Sequence, residues 1–364
     1  MEVQDKKVIF VTGGLTDGGA EKVMSILASQ CAEMGADVTL VILREKERTY
    51  PISDNVHCIQ LEDRKGKLKG LYRIYQLRKV FQESDANTVI PFLPIVSLYA
   101  LVANIGVGKR MILSERADPY TKIFAKNLST KDVIGNFLMR KIGMYNMADW
   151  MVFQTPDAQS YFNKSLQKKS CIIPNPLDTE HLPTRYEGIR DRCIVAAGRF
   201  SHEKNFPMLI KAFAVFHETH PMYRLTIYGD GSLRNEYSKL IRDLEIKESV
   251  DMPGYIDNLA ETIRNKAMYI STSNHEGISN SMLEALGMGI PTIVTDCPVG
   301  GARMFVETDI NGILIPMEDI QALVKAMSKI ADDDEYAQRL SRSAAEIRDT
   351  ISARKICEQW LELM

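Results

Sequence analysis

Short runs of consecutive apolar residues alternate along this chain with longer stretches of helical periodicity. The first run, residues 8–11, is followed by a glycine-rich turn and then by apolar positions spaced three or four apart between Ala20 and Met34. A second apolar run covers residues 37–43. Strand, helix and strand in this order form a βαβ unit, so the pattern predicts an α/β fold with a parallel sheet.

The alternation stops once and then starts again. Further strands are predicted at residues 56–61, 88–92, 109–113 and 150–154, before a charged linker at 178–192. Beyond the linker, apolar runs predict strands at residues 193–197, 224–228, 250–252, 268–272, 291–294 and 313–315.

Two Rossmann-like domains of similar size are therefore predicted, residues 1–185 and residues 186–349. Residues 322–363 are predicted to be helical throughout. The last segment, residues 350–364, is expected to fold back and complete the first domain.

Residues 86–108 carry no charged side chain and are long enough to span a bilayer. Pro91 and Pro94 interrupt the first third of the segment, and polar residues dilute it. A strand at 88–92 followed by a buried helix from Ile95 therefore accounts for this segment better than a transmembrane helix does.

Charge and cysteine content narrow the class of protein. The chain has 364 residues with a formal net charge of -2, which favours neither nucleic acid nor an acidic membrane as partner of the whole chain. Its six cysteines contain no CxxC pair, which argues against a zinc site and a disulfide framework and is typical of a reducing cytoplasm. The first residues are charged and run into a strand, so no signal peptide is predicted and we expect a cytoplasmic protein.

Residues 269–291 concentrate the candidate chemistry. An apolar strand leads into a short polar loop with Glu276, and a helix with Glu284 follows. Strand, loop and helix N-terminus form the place where an open α/β sheet offers backbone N–H groups to a phosphate. With Glu276 in the loop, the two carboxylates would reach different parts of one elongated ligand. A solvated loop carboxylate and a solvated helix residue are the alternative interpretation.

The loop at residues 198–205 follows the strand that restarts the pattern. Because a helix follows the loop, Arg199 and Lys204 are two cations held over a helix N-terminus. A guanidinium binds phosphate oxygens in pairs and an ammonium acts as a point charge, so the two suit a diphosphate. Ordinary surface cations on a loop are the alternative.

Two other patterns argue against a dinucleotide cofactor and against a bound metal. The glycines at residues 13–19 do not match GxGxxG, because Leu15 occupies the position of the second glycine, and this disfavours a dehydrogenase. The triplet Asp332-Asp333-Asp334 is predicted to be a solvated turn or a helix N-cap. No metal and no other cofactor is expected.

Taken together, five motifs resemble those of the family 4 retaining glycosyltransferases, and the resemblance covers nearly the whole chain. The motifs are Gly18-Gly19-Ala20-Glu21, Ile173-Pro174-Asn175-Pro176, Gly198-Arg199 with Lys204, Glu276-Gly277 with Glu284, and Pro291 after the second helix. The resemblance implies the GT-B fold, in which two Rossmann-like domains face each other across a cleft. It also implies a UDP-sugar donor, held by the second domain, and retention of anomeric configuration.

The resemblance also implies roles for individual residues. Arg199 and Lys204 would bind the nucleotide diphosphate and steady the leaving group, and Glu276 would lie beside the donor sugar. Cleavage leaves negative charge on the phosphate and positive charge on the sugar ring, which two cations and a carboxylate stabilise without a metal. The implied catalytic residues are Arg199, Lys204 and Glu276, and the implied donor-binding residues are Gly18, Glu21, Ile256, Gly277, Ile278, Ser279, Asn280 and Glu284.

One departure from the family concerns the first domain. Many members carry a histidine after the strand matched here by residues 111–113, where this chain has Ser114-Glu115-Arg116. Turns of this kind resemble those of members that extend lipid-linked oligosaccharides for surface polysaccharides. Glu115 and Arg116 are therefore predicted to face the acceptor.

Residues 123–145 alternate basic and apolar side chains. We predict that this segment meets an anionic lipid or a lipid diphosphate, with the apolar residues 137–139 entering the interface. The alternative is an ordinary surface helix packed on the sheet. The basic residues concerned are Lys126, Lys131, Arg140 and Lys141.

The sequence thus predicts a hexosyltransferase that moves a hexose or N-acetylhexosamine from a UDP-sugar to a lipid-linked oligosaccharide or a cell-surface polysaccharide. We expect peripheral contact with the inner face of the cell membrane and no nucleic acid partner. Two alternatives stay open. A UDP-sugar 2-epimerase would need a carboxylate and histidine set that we cannot assemble, and a non-catalytic nucleotide-sugar binder would most simply have lost Arg199, Lys204 or Glu284, all of which are present.

Overall fold

The computed structural model describes residues 3–16, 18–44, 50–61, 69–116, 118–119 and 130–364, and the side chains from residue 133 onward in the last range. The chain forms two compact units. Unit 1 comprises Met1–Pro176 together with Ala353–Met364, and unit 2 comprises Leu177–Ser352. The domain boundaries predicted from the sequence lie between residues 185 and 186 and between residues 349 and 350.

Unit 1 is built on a parallel sheet of seven strands within its described residues. Their order across the sheet is β3-β2-β1-β4-β5-β6-β7. Val8, Ile9, Phe10 and Val11 of β1, an interior strand of this sheet, are fully buried, which explains why the strand is apolar on both faces. The strands are β1 Lys7–Thr12, β2 Asp37–Ile42, β3 His57–Gln60, β4 Thr88–Pro91, β5 Arg110–Glu115, β6 Trp150–Phe153 and β7 Ser170–Ile172.

Helices cover this sheet between successive strands. The charge-free segment forms β4 and the eleven-residue α3, which confirms the prediction of a strand and a buried helix. Among the described residues, no helix combines the length and hydropathy needed to cross a bilayer. The helices are α1 Gly19–Glu33, α2 Lys69–Glu83, α3 Pro94–Asn104, α4 Thr130–Asn136 with a π-helical continuation Phe137–Lys141, α5 Pro156–Ser160 and α6 Lys164–Lys168.

Unit 2 repeats the architecture with a six-stranded parallel sheet in the order β10-β9-β8-β11-β12-β13. Its strands are β8 Asp191–Ala197, β9 Arg224–Tyr228, β10 Val250–Gly254, β11 Lys266–Ser271, β12 Thr292–Thr295 and β13 Ile313–Ile315. Its helices are α7 Phe206–Thr219, α8 Arg234–Asp243, α9 Leu259–Ile263, α10 Asn280–Gly287, α11 Ile320–Asp332 and α12 Asp334–Ala345. Two parallel α/β units confirm the predicted fold class.

One face of the unit 2 sheet carries an extended apolar core. Leu225 and Ile227 of β9 are fully buried in one cluster with Phe213 of α7 and Met327 of α11. Burying such side chains completely contributes roughly 1.5–3 kcal/mol each, so this face holds the sheet and its helices together.

The predicted continuous helix over residues 322–363 is wrong, because two breaks interrupt it. Asp333 ends α11 and caps α12, accepting a hydrogen bond from the Tyr336 N–H at 2.8 Å, as the N-cap prediction for the acidic triplet requires. A second break follows the 3₁₀ turn Glu346–Asp349, where Ser352 forms a β-bridge with Leu177. The last helix, α13 Ala353–Glu362, then belongs to unit 1.

Arg348 fixes the first part of the predicted linker to unit 2. Its guanidinium donates to the carbonyl oxygens of Thr179 at 2.7 Å, Pro183 at 3.0 Å and Leu182 at 3.1 Å. Three carbonyls held by one planar cation make this stretch an ordered part of the unit.

Helix α13 is joined to unit 1 by a disulfide between Cys31 of α1 and Cys357 of α13. Both cysteines are fully buried, and Trp360 of the same helix packs on Phe92 with ring centroids 5.7 Å apart. The prediction that the cysteines form no disulfide is wrong for this pair. The two residues are 326 positions apart, and only the packing of α13 against α1 brings them together.

Reduction of this disulfide should destabilise unit 1. A cross-link over so long a stretch of chain restricts the unfolded state, so we expect a loss of about 5 kcal/mol in the free energy of unfolding when a reductant is added. Denaturant unfolding with and without dithiothreitol measures the loss, and Cys31→Ser should unfold identically in both.

Thiol titration of the unreduced, denatured protein provides the chemical check. Cys58, Cys171, Cys193 and Cys297 take no part in the disulfide, so four thiols are expected before reduction and six afterwards. Six thiols before reduction would contradict the disulfide.

Candidate active site

The two loops that carry the predicted catalytic residues leave neighbouring strands of unit 2. One loop follows β8 and the other follows β11, and these strands pair directly. Chain order across the sheet runs from β8 to β9 on one side and continues from β11 to β12 on the other. Such a reversal of direction is where open α/β sheets bind ligands, at the carboxyl ends of the strands.

Lys204 and Glu276 meet at this point. The Lys204 ammonium donates to Oε2 of Glu276 in a close ion pair, and the two side chains are 20% and 23% exposed. Ser273 donates its hydroxyl to the same oxygen at 2.9 Å. Arg199 lies on the same loop as Lys204 and is exposed. The structure therefore brings together one of the predicted cations and the predicted carboxylate.

The residues directly after β11 tie the two loops to each other. Thr272 donates its hydroxyl to the carbonyl oxygens of Lys204 and Asn205, both at 3.0 Å. Asn274 donates its backbone N–H to the Glu203 carbonyl at 2.7 Å, and its side-chain oxygen accepts from the Asn205 amide at 3.1 Å. The sequence shows only that this stretch is polar, and the contacts are visible only in the structure.

Two glycines in neighbouring loops permit very close backbone approach. A Cβ at Gly229 would overlap the carbonyl oxygen of Gly198, and a Cβ at Gly301 would overlap that of Gly277. Both site loops thus rest on a second loop that tolerates no side chain at the contact. Sequence reasoning missed this support, although the position of Gly229 directly after a strand is an available signal.

Helix α10 carries the remaining donor-binding candidates of this loop. Ser279 is its N-cap and accepts a hydrogen bond from the Met282 N–H at 3.4 Å. Ile278 and Ser279 are buried, whereas Gly277, Asn280 and Glu284 are partly exposed. Glu276 therefore lies in the loop and Glu284 on the helix, the arrangement that would let the two carboxylates reach different parts of one ligand.

Ile256 lines a cavity of about 870 Å³ beside β9 and β10. Tyr228, Met252 and Tyr255 also line it, and Tyr228 accepts a hydrogen bond from the Gly198 N–H at 3.0 Å. The cavity adjoins the first site loop through this bond.

Gly18 and Glu21 shape the loop after β1 in unit 1. Gly18 caps α1, and the Glu21 carboxylate accepts the backbone N–H groups of Thr16 at 3.1 Å and Gly18 at 3.2 Å. The carboxylate thereby holds the glycine-rich loop in shape from within the same unit.

Glu115 lies in the interior of unit 1 beside Arg140. The Arg140 guanidinium donates from Nε to Glu115 Oε2 at 3.2 Å, and its Nη2 lies 3.1 Å from the same oxygen in an ion pair. The side chains of Arg140 and Glu115 are 3% and 0% exposed. Tyr145 donates its hydroxyl to the same oxygen at 2.8 Å. Burial, together with the Glu115 charge, raises the pKa of Tyr145, so its hydroxyl stays a donor at neutral pH.

Arg116 is also buried, between two aromatic rings. Its guanidinium carbon lies 4.7 Å from the ring centroid of Phe92 and 5.4 Å from that of Trp360. It donates to the Asn175 side-chain oxygen at 3.1 Å and to the Ile173 carbonyl at 3.4 Å. Burial lowers the pKa of Arg116 to about 9, which still leaves it charged at neutral pH.

The basic segment is partly buried where the structure describes it. Met139 is fully buried and the Arg140 side chain faces Glu115, whereas Phe137, Lys141 and Ile142 are exposed. Lys126 and the side chain of Lys131 lie outside the described residues. Met139, predicted to enter a lipid interface, and Arg140, predicted to meet the lipid charge, therefore point into unit 1.

The described residues contain no group of three or more His, Cys, Asp and Glu side chains arranged to hold a metal ion. The charged groups of the site are instead the Glu276 carboxylate, which pairs with Lys204, and the loop at residues 198–205, where, against the effect of burial, Arg199 helps to lower the pKa of Glu203. Exposed Arg199 and partly exposed Lys204 suit a phosphate ligand, and Glu276 suits a neighbouring group that gains positive charge.

Two family descriptions match this chain in succession. Residues 17–181 match Glycosyltransferase Family 4, and residues 187–347 match Glycosyl transferases group 1. Together the two regions account for most of the chain and for both α/β units.

Two named relatives resemble the chain over nearly its full length. An enzyme of Campylobacter jejuni is 24% identical over 98% of each chain, and its name is GalNAc-α-(1→4)-GalNAc-α-(1→3)-diNAcBac-PP-undecaprenol α-1,4-N-acetyl-D-galactosaminyltransferase. The amylovoran biosynthesis glycosyltransferase AmsD of Erwinia amylovora is 20% identical over 99% of each chain.

A solved structure shows the same fold. A variant of S. aureus TarM, crystallised with fondaparinux, α-GlcNAc-glycerol and UDP, superposes with a TM-score of 0.80 at 13% identity, over 98% of this chain and 99% of the other. These names do not favour the epimerase and binder alternatives. With its family 4 and group 1 regions and its GT-B fold, the chain belongs to the family 4 glycosyltransferases.

Proposed function

We propose that this enzyme transfers a hexose or N-acetylhexosamine from a UDP-sugar to a lipid-linked oligosaccharide or a cell-surface polysaccharide. The observation that carries the proposal is the meeting of Lys204 and Glu276 at the carboxyl ends of β8 and β11. A cation for the leaving diphosphate and a carboxylate for the sugar ring are the two charges that the transition state of sugar transfer requires.

Each chemical group of the UDP-sugar donor has a residue suited to bind it. Arg199 and Lys204 would hold the diphosphate, and Glu284 on α10 would hold the ribose hydroxyls. Ile256 would contact the base, since it lines a cavity that adjoins the loop of Arg199. Gly277, Ile278, Ser279 and Asn280 would offer the start of α10 to the donor. Gly18 and Glu21 remain predicted donor-binding residues of unit 1.

The proposed acceptor is inferred from the names of two relatives. The C. jejuni enzyme is named for an undecaprenol diphosphate glycan, and AmsD for amylovoran biosynthesis. An acceptor on a lipid carrier would bring the enzyme to the inner face of the cell membrane. Glu115, Arg116 and Arg140 would then act from the interior by fixing the acceptor side of unit 1, with Lys141 at its surface.

Exposed apolar side chains of unit 1 support a membrane contact. Phe137 is 42% exposed and Ile142 is 62% exposed, on either side of exposed Lys141. Apolar side chains next to a cation are typical of segments that enter the headgroup region of an anionic membrane.

Lys204→Ala should abolish transfer, because the diphosphate loses a fixed cation as its charge develops. We expect kcat to fall at least about 100-fold, the scale seen when one preorganised donor to a developing anion is removed. A UDP-release assay over UDP-glucose, UDP-galactose, UDP-GlcNAc and UDP-GalNAc, with membrane-extracted acceptors, measures the effect. Lys211→Ala, an exposed lysine on α7, is the matched control and should retain wild-type activity.

Equal activity in Lys204→Ala and wild type would refute the assigned role of this lysine. Binding of UDP-sugars without release of UDP from any of them would favour the non-catalytic binder instead.

Chelation should leave the reaction unchanged. Because Arg199 and Lys204 would supply the positive charge at the diphosphate, we expect the same UDP-release rate with and without EDTA. Recovery of lost activity by added Mg²⁺ or Mn²⁺ would contradict a metal-independent mechanism.

Removing the two exposed apolar side chains should weaken membrane binding. We expect Phe137→Ser with Ile142→Ser to lower the affinity for phosphatidylglycerol vesicles about tenfold, because their apolar burial at the interface is lost. Co-sedimentation measures this affinity. Ile189→Ser with Met222→Ser, two apolar residues of unit 2 that are more exposed still, is the control, and equal losses in both variants would exclude a specific surface.

A further inference from the structure

The two oxygens of the Glu276 carboxylate have different environments. Oε2 accepts from the Lys204 ammonium and, at 2.9 Å, from the Ser273 hydroxyl. Within the described residues no hydrogen bond reaches Oε1. One oxygen is thus held by the protein, and the other is the oxygen available to a ligand.

The two groups that hold Oε2 differ in how firmly they are committed to it. Lys204 is partly exposed, and in the proposed reaction it also serves the donor diphosphate, whose charge exceeds that of a carboxylate. Ser273 is 2% exposed, so no ligand reaches it. When the diphosphate attracts Lys204, Ser273 remains to keep the carboxylate in place.

Ser273 is itself fixed by the sheet. It lies two residues after the end of β11, and its carbonyl accepts from the Thr295 hydroxyl of β12 at 2.6 Å. Its hydroxyl also lies 3.3 Å from that of Ser271 in β11. The flanking Thr272 and Asn274 hold the Lys204 loop. A side chain anchored in this way can orient a partner with little freedom.

We propose that Ser273 is a positioning residue for the donor sugar, which orients Glu276 so that Oε1 faces the sugar while Oε2 stays held. This inference rests on the proposed function and adds a residue to it. Ser273 acts through Glu276 and touches no substrate. Its removal should therefore affect the sugar and its transfer, and leave the nucleotide unaffected.

The experiment compares the binding of UDP with that of the four UDP-sugars of the donor panel, by calorimetry without acceptor. In Ser273→Ala, the affinity for UDP should stay within about twofold of wild type. The sugar's contribution to binding, measured as the ratio of UDP-sugar affinity to UDP affinity, should fall about tenfold. The kcat should fall by a similar factor, as expected for loss of a hydrogen bond to a charged group. Ser273→Thr keeps the hydroxyl and should recover most of both.

Two further variants separate positioning from general stability. Ser341→Ala removes another buried hydroxyl of unit 2, one that accepts from Arg190 at 3.3 Å, and should change neither the sugar's contribution nor kcat. Ser273→Cys keeps the size of the side chain with a weaker donor, so it should lose function even if Ser273→Ala does not fold.

The outcomes are distinguishable. Ser273→Ala and Ser273→Cys that match wild type, or that lose UDP and UDP-sugar affinity equally, would overturn the positioning role. Wild type that binds neither UDP nor any UDP-sugar would overturn the proposed function itself, and the positioning role with it.

Discussion

The ion pair between Lys204 and Glu276 is the interaction on which the candidate site depends. The two residues are 72 positions apart, and they meet because β8 and β11 are neighbours in the sheet of unit 2. Any change in strand order would separate the cation from the carboxylate. The candidate site is therefore a consequence of the parallel doubly wound topology, which places both loops at one edge of the sheet.

The degree of burial distinguishes this ion pair from the one between Glu115 and Arg140 in the interior of unit 1. Lys204 and Glu276 are about one-fifth exposed, so a ligand can reach them, whereas Glu115 and Arg140 are almost completely enclosed. Enclosed charges lose their hydration and require several hydrogen bonds in return, which Tyr145 helps to supply. The first pair is thus accessible to a ligand, whereas the second is enclosed within unit 1.

Much of the fold and part of the site could be predicted from the sequence. Apolar runs located the strands because buried parallel strands require such runs, and the loop positions of Lys204 and Glu276 followed from the strand boundaries. The burial of Met139 and Arg140 could not be predicted, since an amphipathic pattern does not say what covers a helix. The roles of Thr272, Ser273 and Asn274 were equally hidden, because hydroxyls and amides are common in every polar loop.

The sequence by itself determined the two α/β units, the polar loops at their strand ends and the family to which the motifs belong. These are local properties, set by periodicity and by short motifs. The tertiary structure alone decided which distant residues meet: Cys31 with Cys357, Arg116 with Trp360, and Ser273 with Lys204 on one oxygen of Glu276. Such contacts depend on strand order and helix packing, which no short stretch of sequence encodes.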